Sequence, residues 1–338
     1  MKKMRKNKKK RLSSLLLLLF LTVIMLGTST YAWFTANRTV TIEKIDVNVA
    51  TSSGLQISTD ASNWKTKISN TDITSGSGVN QFPSELKPVS TNGDTTSGNV
   101  NMYSGVVGTD TSGNFILTST KLTDTKGGTG TYIAFDIFLK SEKAMPVYLT
   151  TDANVIPKAV DDKTPGTDTG LKNAARVAFA VEGNVAATDT VANMQALTGA
   201  KKTDVTIWEP NADAHTGNGA TAANQYYGLT TTAGVGNAVL AYDGIKAPIT
   251  TGIKLTEARA SVTTSADYFE TISATSGIAK LISTPATPTK YTELVSLAAG
   301  VTKIRVYMWI EGNDVDCENN ASGSNISYNL VISQNSEA

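Results

Sequence analysis

The sequence predicts an all-β protein: an antiparallel β-sandwich of jelly-roll type with a polar, loop-rich insert and one or two short helices. Three observations predict it. Apolar residues alternate with a period of two in segment after segment, as in strands that bury one face. Turn-forming clusters such as SGSG, TNGD, TTSG, TSGN and KGGTG separate these segments. Helical periodicity is confined to short stretches, and no repeat recurs at a fixed period.

The strands follow in order. Val40 and Ile42 share one parity and Ile45, Val47 and Val49 the other, so the pattern predicts a strand with a β-bulge at Glu43-Lys44. Leu55 and Ile57 form a short second strand after Ser53-Gly54. Residues 69–131 read as loop-rich β structure in which Val106-Val107 and Phe115-Ile116-Leu117 are the buried pieces. YIAFDIFL (132–139) turns Ile133, Phe135, Ile137 and Leu139 to one face, and VYLTT (147–151) follows Pro146 as its hairpin neighbour. RVAFAVEG (176–183) directs Val177, Phe179 and Val181 inward and ends at Gly183. Near the C-terminus, KIRVYMWIEG (303–312) sets Ile304, Val306, Met308 and Ile310 against Arg305, Tyr307 and Trp309. NISYNLVIS (325–333) sets Ile326, Tyr328, Leu330 and Ile332 against Ser327, Asn329 and Val331. A helix of two or three turns is predicted over 188–197, capped by Thr188 or Asp189, and residues 277–282 suit either helix or strand.

Ahead of these strands lies a tripartite segment. Eight basic residues and no acidic one occupy residues 1–11, Leu15 to Leu26 is almost purely apolar, and Gly27 to Ala32 is mostly small and polar. This is the pattern of a secretory signal peptide. Twelve helical residues span only about 18 Å, short of the ~30 Å hydrocarbon core. Cleavage is therefore placed between Ala32 and Trp33, giving residues 1–32 as leader and 33–338 as the sandwich, with 184–300 as its elaborated insert. The alternative is an uncleaved anchor with Tyr31 to Phe34 at the interface, and in that case the leader is the only membrane contact. The expected location is secreted, at the cell surface or in the medium.

The whole chain carries a net charge of +1, but residues 33–338 have 22 basic and 29 acidic residues, a net of −7. Such a surface argues against nucleic acid as a partner, since phosphate binding needs a basic stripe. A single cysteine, Cys317, excludes a disulfide framework within the chain and any multi-thiolate zinc site.

The basic leader, the short apolar run ending in Thr30-Tyr31-Ala32 and the Trp33-Phe34-Thr35 that opens directly onto a strand resemble the TasA/camelysin group. Gly54-Leu55-Gln56-Ile57-Ser58 matches the short Gly-Leu/Ile pair that follows in that group. The resemblance covers roughly residues 1–60. It implies export with cleavage by a SipW-type signal peptidase. It also implies a jelly-roll subunit that self-associates into fibres, or with matrix proteins, by placing its N-terminal strand in a neighbour's sheet. In such β-augmentation main-chain hydrogen bonds give affinity and alternate side chains give register. The donor would be Trp33, Phe34, Val40, Ile42, Ile45, Val47 and Val49. Pairing of the same strand within its own subunit fits the pattern equally well. A cell-surface adhesin or carbohydrate-binding module is the alternative function, with Trp64, Trp208 and Tyr226-Tyr227 as a sugar-stacking platform.

Two acidic stretches carry what chemistry the sequence offers. IWEPNADAHT (207–216) gathers Glu209, Asp213 and the only histidine, His215, and WIEGNDVDCE (309–318) gathers Glu311, Asp314, Asp316, Cys317 and Glu318. Both follow strand-like runs ending in Trp, which predicts one shared rim. Glu209, Asp213, His215, Asp314 and Asp316 are candidate ligands for Ca²⁺, although ordinary Asn/Asp/Gly turns have the same composition. No catalytic residue and no required cofactor is expected. HExxH needs two histidines, and no GxSxG elbow, Walker A loop or dinucleotide fingerprint occurs. A Cys317–His215 nucleophile pair is disfavoured because acidic surroundings oppose the thiolate.

Overall fold

The computed structural model describes residues 39–50, 54–78, 80–125, 127–157, 167–221, 242–273, 279–318 and 323–336. The leader, the Ala32–Trp33 junction, Phe34 and Tyr226-Tyr227 lie outside the described residues. In chain order come β1 (Val40–Ala50), β2 (Gln56–Ser58), β3 (Lys67–Ser69), β4 (Glu85–Leu86), β5 (Val89–Ser90), β6 (Thr95–Thr96) and β7 (Asn99–Val100). Next are β8 (Tyr103–Thr109), β9 (Phe115–Lys121), β10 (Ile133–Ser141), β11 (Met145–Leu149), β12 (Asn154–Pro157), β13 (Ala175–Val185) and β14 (Val205–Glu209). The last are β15 (Tyr242–Ile245), β16 (Ile253–Lys254), β17 (Phe269–Ile272), β18 (Lys280–Ser283), β19 (Thr292–Leu297), β20 (Gly300–Ile310) and β21 (Asn325–Ser333).

Two sheets form an all-β sandwich. One runs β19-β11-β21-β1-β3, with β12 also on β21 and β4 on β1. The other runs β18-β14-β13-β20-β10-β2. Their facing side chains make the main core: Ile45 and Val47 from β1 and Leu330 and Ile332 from β21 meet Phe135, Ile137, Phe179 and Val306 of the opposite sheet. The predicted bulge is present, for the β1–β21 register slips between Ile42 and Lys44. The extra residue lets both parities of β1 face the same core.

The sheets are mixed, not purely antiparallel. β1 runs parallel to β21, and β14 runs parallel to β18. The predicted β10–β11 hairpin does not form. β10 belongs to one layer, while β11 pairs with β19 and β21 in the other. Crossing at residues 142–144 lets the apolar faces of both strands enter one core from opposite sides. Residues 184–300 are not a self-contained insert, since β14, β18 and β19 complete the two main sheets.

A third layer covers the outer face of the β20 sheet. It is made of the sheet β16-β9-β8-β5, the pair β15–β17 and the hairpin β6–β7. Tyr307, Trp309, Ala134, Ala178 and Ala180 pack there against Val89, Val100, Met102 and Tyr242. Arg305, Tyr307 and Trp309 are therefore buried, and every residue of β20 is. In the polar 69–131 stretch the buried residues include Leu86, Val89, Val100, Met102, Tyr103 and Leu117, whereas Val106 is 53% exposed. Gly183 does not end β13. It follows a register slip at Glu182, and the strand continues to Val185. The 188–197 helix shortens to α1 (Val191–Gln195), capped by Thr190, whose hydroxyl accepts from the Asn193 amide at 3.2 Å.

Gly300 makes the turn from β19 in one layer to β20 in the other. Its φ is +114°, and an added Cβ would run into the Val185 carbonyl oxygen. Gly300→Ala should thus lose about 1–3 kcal/mol, read as a lower urea midpoint, and an unchanged midpoint would contradict this steric account.

Candidate functional site

β1 is the element on which assembly would turn. Val40, Ile42, Ile45, Val47 and Val49 are all buried, between 0% and 8% exposed, in the chain's own sheet. β21 lies along one edge of β1, and β3 and β4 cover part of the other. Between those two short strands the Ile45 amide donates to Asn70 Oδ1 at 2.7 Å, so that edge is closed by a side chain. Burial of five aliphatic side chains at 1.5–3 kcal/mol each makes β1 worth roughly 10 kcal/mol. That is of the order of a whole domain's stability.

The two ends of this lane differ. At the N-terminal end, Thr41 donates to the Ser324 carbonyl at 3.2 Å and Gly323 donates to the Thr39 carbonyl at 3.0 Å. The chain therefore enters the sheet at the rim that carries the 309–318 loop, to which Thr169 and Gly170 also belong. At the opposite rim Ala50 pairs with Ser333, where β21 ends. β11 extends past that end, because only Tyr148 and Leu149 pair with β21. A cleft of about 680 Å³ opens here, lined by Gly54, Lys143, Met145, Pro146, Gln334 and Asn335 among others.

The two acidic stretches do meet at one rim, but they are joined by an arginine that the sequence reading did not single out. Arg176 on β13 is 2% exposed. Its Nη2 donates to Glu209 Oε1 and Asp314 Oδ2, both at 2.5 Å. Its Nη1 donates to the carbonyls of Asn173 and Ala175 at 2.7 and 2.9 Å. Asp316 is fully buried and pairs with His215 Nδ1 at 2.7 Å, and its Oδ1 accepts from the Thr216 amide at 2.8 Å. Burial, and then the charge of Asp314, pushes the Asp316 carboxyl up, while His215 opposes the shift. Asp213 turns away and accepts from the Ala286 amide at 2.7 Å.

The five predicted calcium ligands are thus spread over three separate contacts. Among the described residues no group of three or more His, Cys, Asp or Glu side chains is arranged to hold a metal ion. Cys317 is buried, and burial together with Asp314, Glu311 and Asp316 drives its thiol well up, away from a nucleophilic thiolate. The sugar platform also loses a member. Trp208 is 1% exposed and its Nε1 donates to Thr284 Oγ1 at 2.9 Å, while Trp64 is half-buried with Lys140 Nζ 5.4 Å above its ring.

A second polar network lies between the β20 sheet and the third layer. Arg305 Nη1 donates to Asp136 Oδ1 at 2.8 Å, and its Nη2 donates to Asp124 Oδ2 at 2.6 Å. Lys303 Nζ lies 3.2 Å from Asp136 Oδ2 and donates to the Gln195 carbonyl at 2.8 Å. Glu182 accepts from the Ala200 amide at 3.1 Å. Burial pushes Glu182 up to about 7, against the pull of that amide and of Lys303. Sequence reasoning passed over Asp136, Glu182, Lys303 and Arg305 because each sits on the parity assigned to solvent, and over Asp124 because it lies in the loop-rich 69–131 stretch. Ala134, Ala178, Ala180, Tyr307 and Trp309 on that same parity were the available signal of a second buried face.

No family model, no curated protein and no solved structure matches this chain.

Proposed function

We propose that the protein is an exported structural subunit of an extracellular fibre or biofilm matrix, assembling through its N-terminal strand. The leader pattern and the resemblance at residues 1–60 support export, SipW-type cleavage and self-association. The reading assigns no catalytic step and requires no cofactor. One observation carries the assembly step: the lane of β1 is polar, with the chain entering at one rim and a cleft open at the other. A head-to-tail contact of this kind gives filaments where its rotation does not close into a ring. The large burial of β1 means that it leaves its sheet only as an equivalent strand from a neighbour takes its place. Exchange then conserves every contact and is limited by rate, not by equilibrium.

The register supplies a test. Asn48 and Val331 are half-buried partners across β1 and β21, so Asn48→Cys with Val331→Cys reports which chain supplies β1. Oxidation of monomers should lock the strand and prevent polymerisation. Oxidation of assembled fibres should give covalent ladders on a non-reducing gel. Fibres that dissolve to monomers after oxidation would sink strand exchange, and mature protein that never polymerises would sink the fibre reading itself.

A further inference from the structure

We infer that Lys303 and Asp136 are the reactants of an intramolecular isopeptide bond, a covalent weld between the neighbouring central strands β20 and β10. The reading rests on geometry and stands apart from fibre assembly. Asp136 and Lys303 are 4% and 5% exposed, so the ion pair has little water around it. Lys303 Nζ is 3.2 Å from Asp136 Oδ2, and a bond donated to the Gln195 carbonyl at 2.8 Å holds the amine in place. Gly78 closes over the carboxylate so tightly that a Cβ there would collide with Asp136 Oδ2. Proximity of this kind replaces a bimolecular encounter.

The remaining groups fit the chemistry. Nζ attacks Asp136 Cγ, and the carbonyl electron pair moves onto Oδ1, where Arg305 Nη1 already donates at 2.8 Å. A fixed cationic donor at the oxygen that gains charge is the usual stabiliser of an acyl-transfer intermediate. Collapse re-forms the C–O double bond at Oδ1 and breaks the Cγ–Oδ2 bond. Two of the three ammonium hydrogens leave with Oδ2 as water, so the pair R–NH₃⁺ and R′–COO⁻ becomes R–NH–CO–R′ plus H₂O, with no oxidant and no net proton. Glu182 is the proton carrier. It is buried beside this pair, at the bulge opposite Lys303, and the charges of Lys303, Asp136 and Arg305 act on it. A carboxyl that titrates near neutrality can take a proton from nitrogen and deliver it to the departing oxygen.

Mass spectrometry of the purified protein tests this without a variant. The intact chain should be lighter by one water, and a tryptic digest should contain a branched peptide joining the Asp136 and Lys303 segments. Asp136→Ala and Lys303→Ala should each run at full mass. Asp136→Asn should still join, with loss of ammonia in place of water, a result that a plain ion pair cannot give. Glu182→Gln keeps both reactants and should slow joining by roughly 10²-fold or more. Wild-type protein at full mass with Lys303 in a linear peptide, even after long incubation, would overturn the proposal, and so would Glu182→Gln joining at the wild-type rate for the role of Glu182.

Discussion

Replacing Arg176 by methionine should destabilise the protein by about 3–5 kcal/mol. The guanidinium is 2% exposed and serves two carboxylates at once, Glu209 and Asp314, each at 2.5 Å. Methionine fills much of the volume but leaves both charges without their cation. Among the described residues Glu209 would keep the Ser283 hydroxyl on Oε2, and Asp314 the Asp316 amide on Oδ1. An unpaired buried carboxylate is costly because its hydration is not replaced. The loss should therefore come from the stranded charges more than from the missing attraction. Arg176→Met combined with Glu209→Gln and Asp314→Asn separates the two, since removing both carboxylates should recover most of the stability. Chemical denaturation of the single and triple variants decides the matter. If the triple variant is as unstable as the single one, packing of the arginine stem or its bonds to the Asn173 and Ala175 carbonyls is the real support.

The residues that make this rim were half legible in the sequence. That 207–216 and 309–318 meet follows from two strands of similar polarity pattern ending in Trp, and the fold brings Glu209 and Asp314 onto one guanidinium. The bulge at Glu43 was legible too, because a change of parity along one strand has few structural solutions. What alternation hides is a second buried face. Arg176, Glu182, Lys303 and Arg305 occupy the outward parity of their strands, where a charged residue reads as solvated. Their partners Asp124, Asp136, Glu209 and Asp314 lie elsewhere in the chain, and no local pattern reports that complementarity. The β10–β11 crossing failed for a related reason, since a short link between two strands suits a hairpin and a sandwich corner alike.

Glu311 should make the protein lose stability as pH rises from about 4.5 to about 7, a trend opposite to that of most carboxylates. The side chain is fully buried, and burial pushes it up to about 7, against hydrogen bonds from Ser90, Trp309, Tyr242 and the Asn313 amide. The surrounding geometry agrees with a protonated acid. The Tyr242 hydroxyl lies 2.7 Å from both the Thr91 carbonyl and Glu311 Oε2, and its single hydrogen can serve only one of them. If tyrosine donates to Thr91, the hydrogen on the second contact must come from Glu311. Below pH 4.5 the group is protonated in both the folded and the unfolded chain. Between 4.5 and 7 the unfolded chain releases the proton while the folded chain keeps it, so unfolding gains, and above 7 the effect is complete. A displacement of this size corresponds to about 3 kcal/mol. Glu182, also pushed to about 7, acts in the same window. Asp46, Asp72 and Glu270 are held low by lysine partners and act in the other direction, but only on acidification below their ordinary range. Stability should therefore peak near pH 5. Glu311→Gln isolates the single group. The amide offers a donor to Tyr242 but loses the Trp309 Nε1 bond of 3.0 Å, at a cost of about 1 kcal/mol at pH 5. By pH 8 the variant should equal or exceed the wild type, because it has no proton to lose. Guanidinium unfolding at pH 5, 6.5 and 8 measures the gap between the two proteins, and a gap that stays constant across that range would show that Glu311 is ionised in the folded chain throughout.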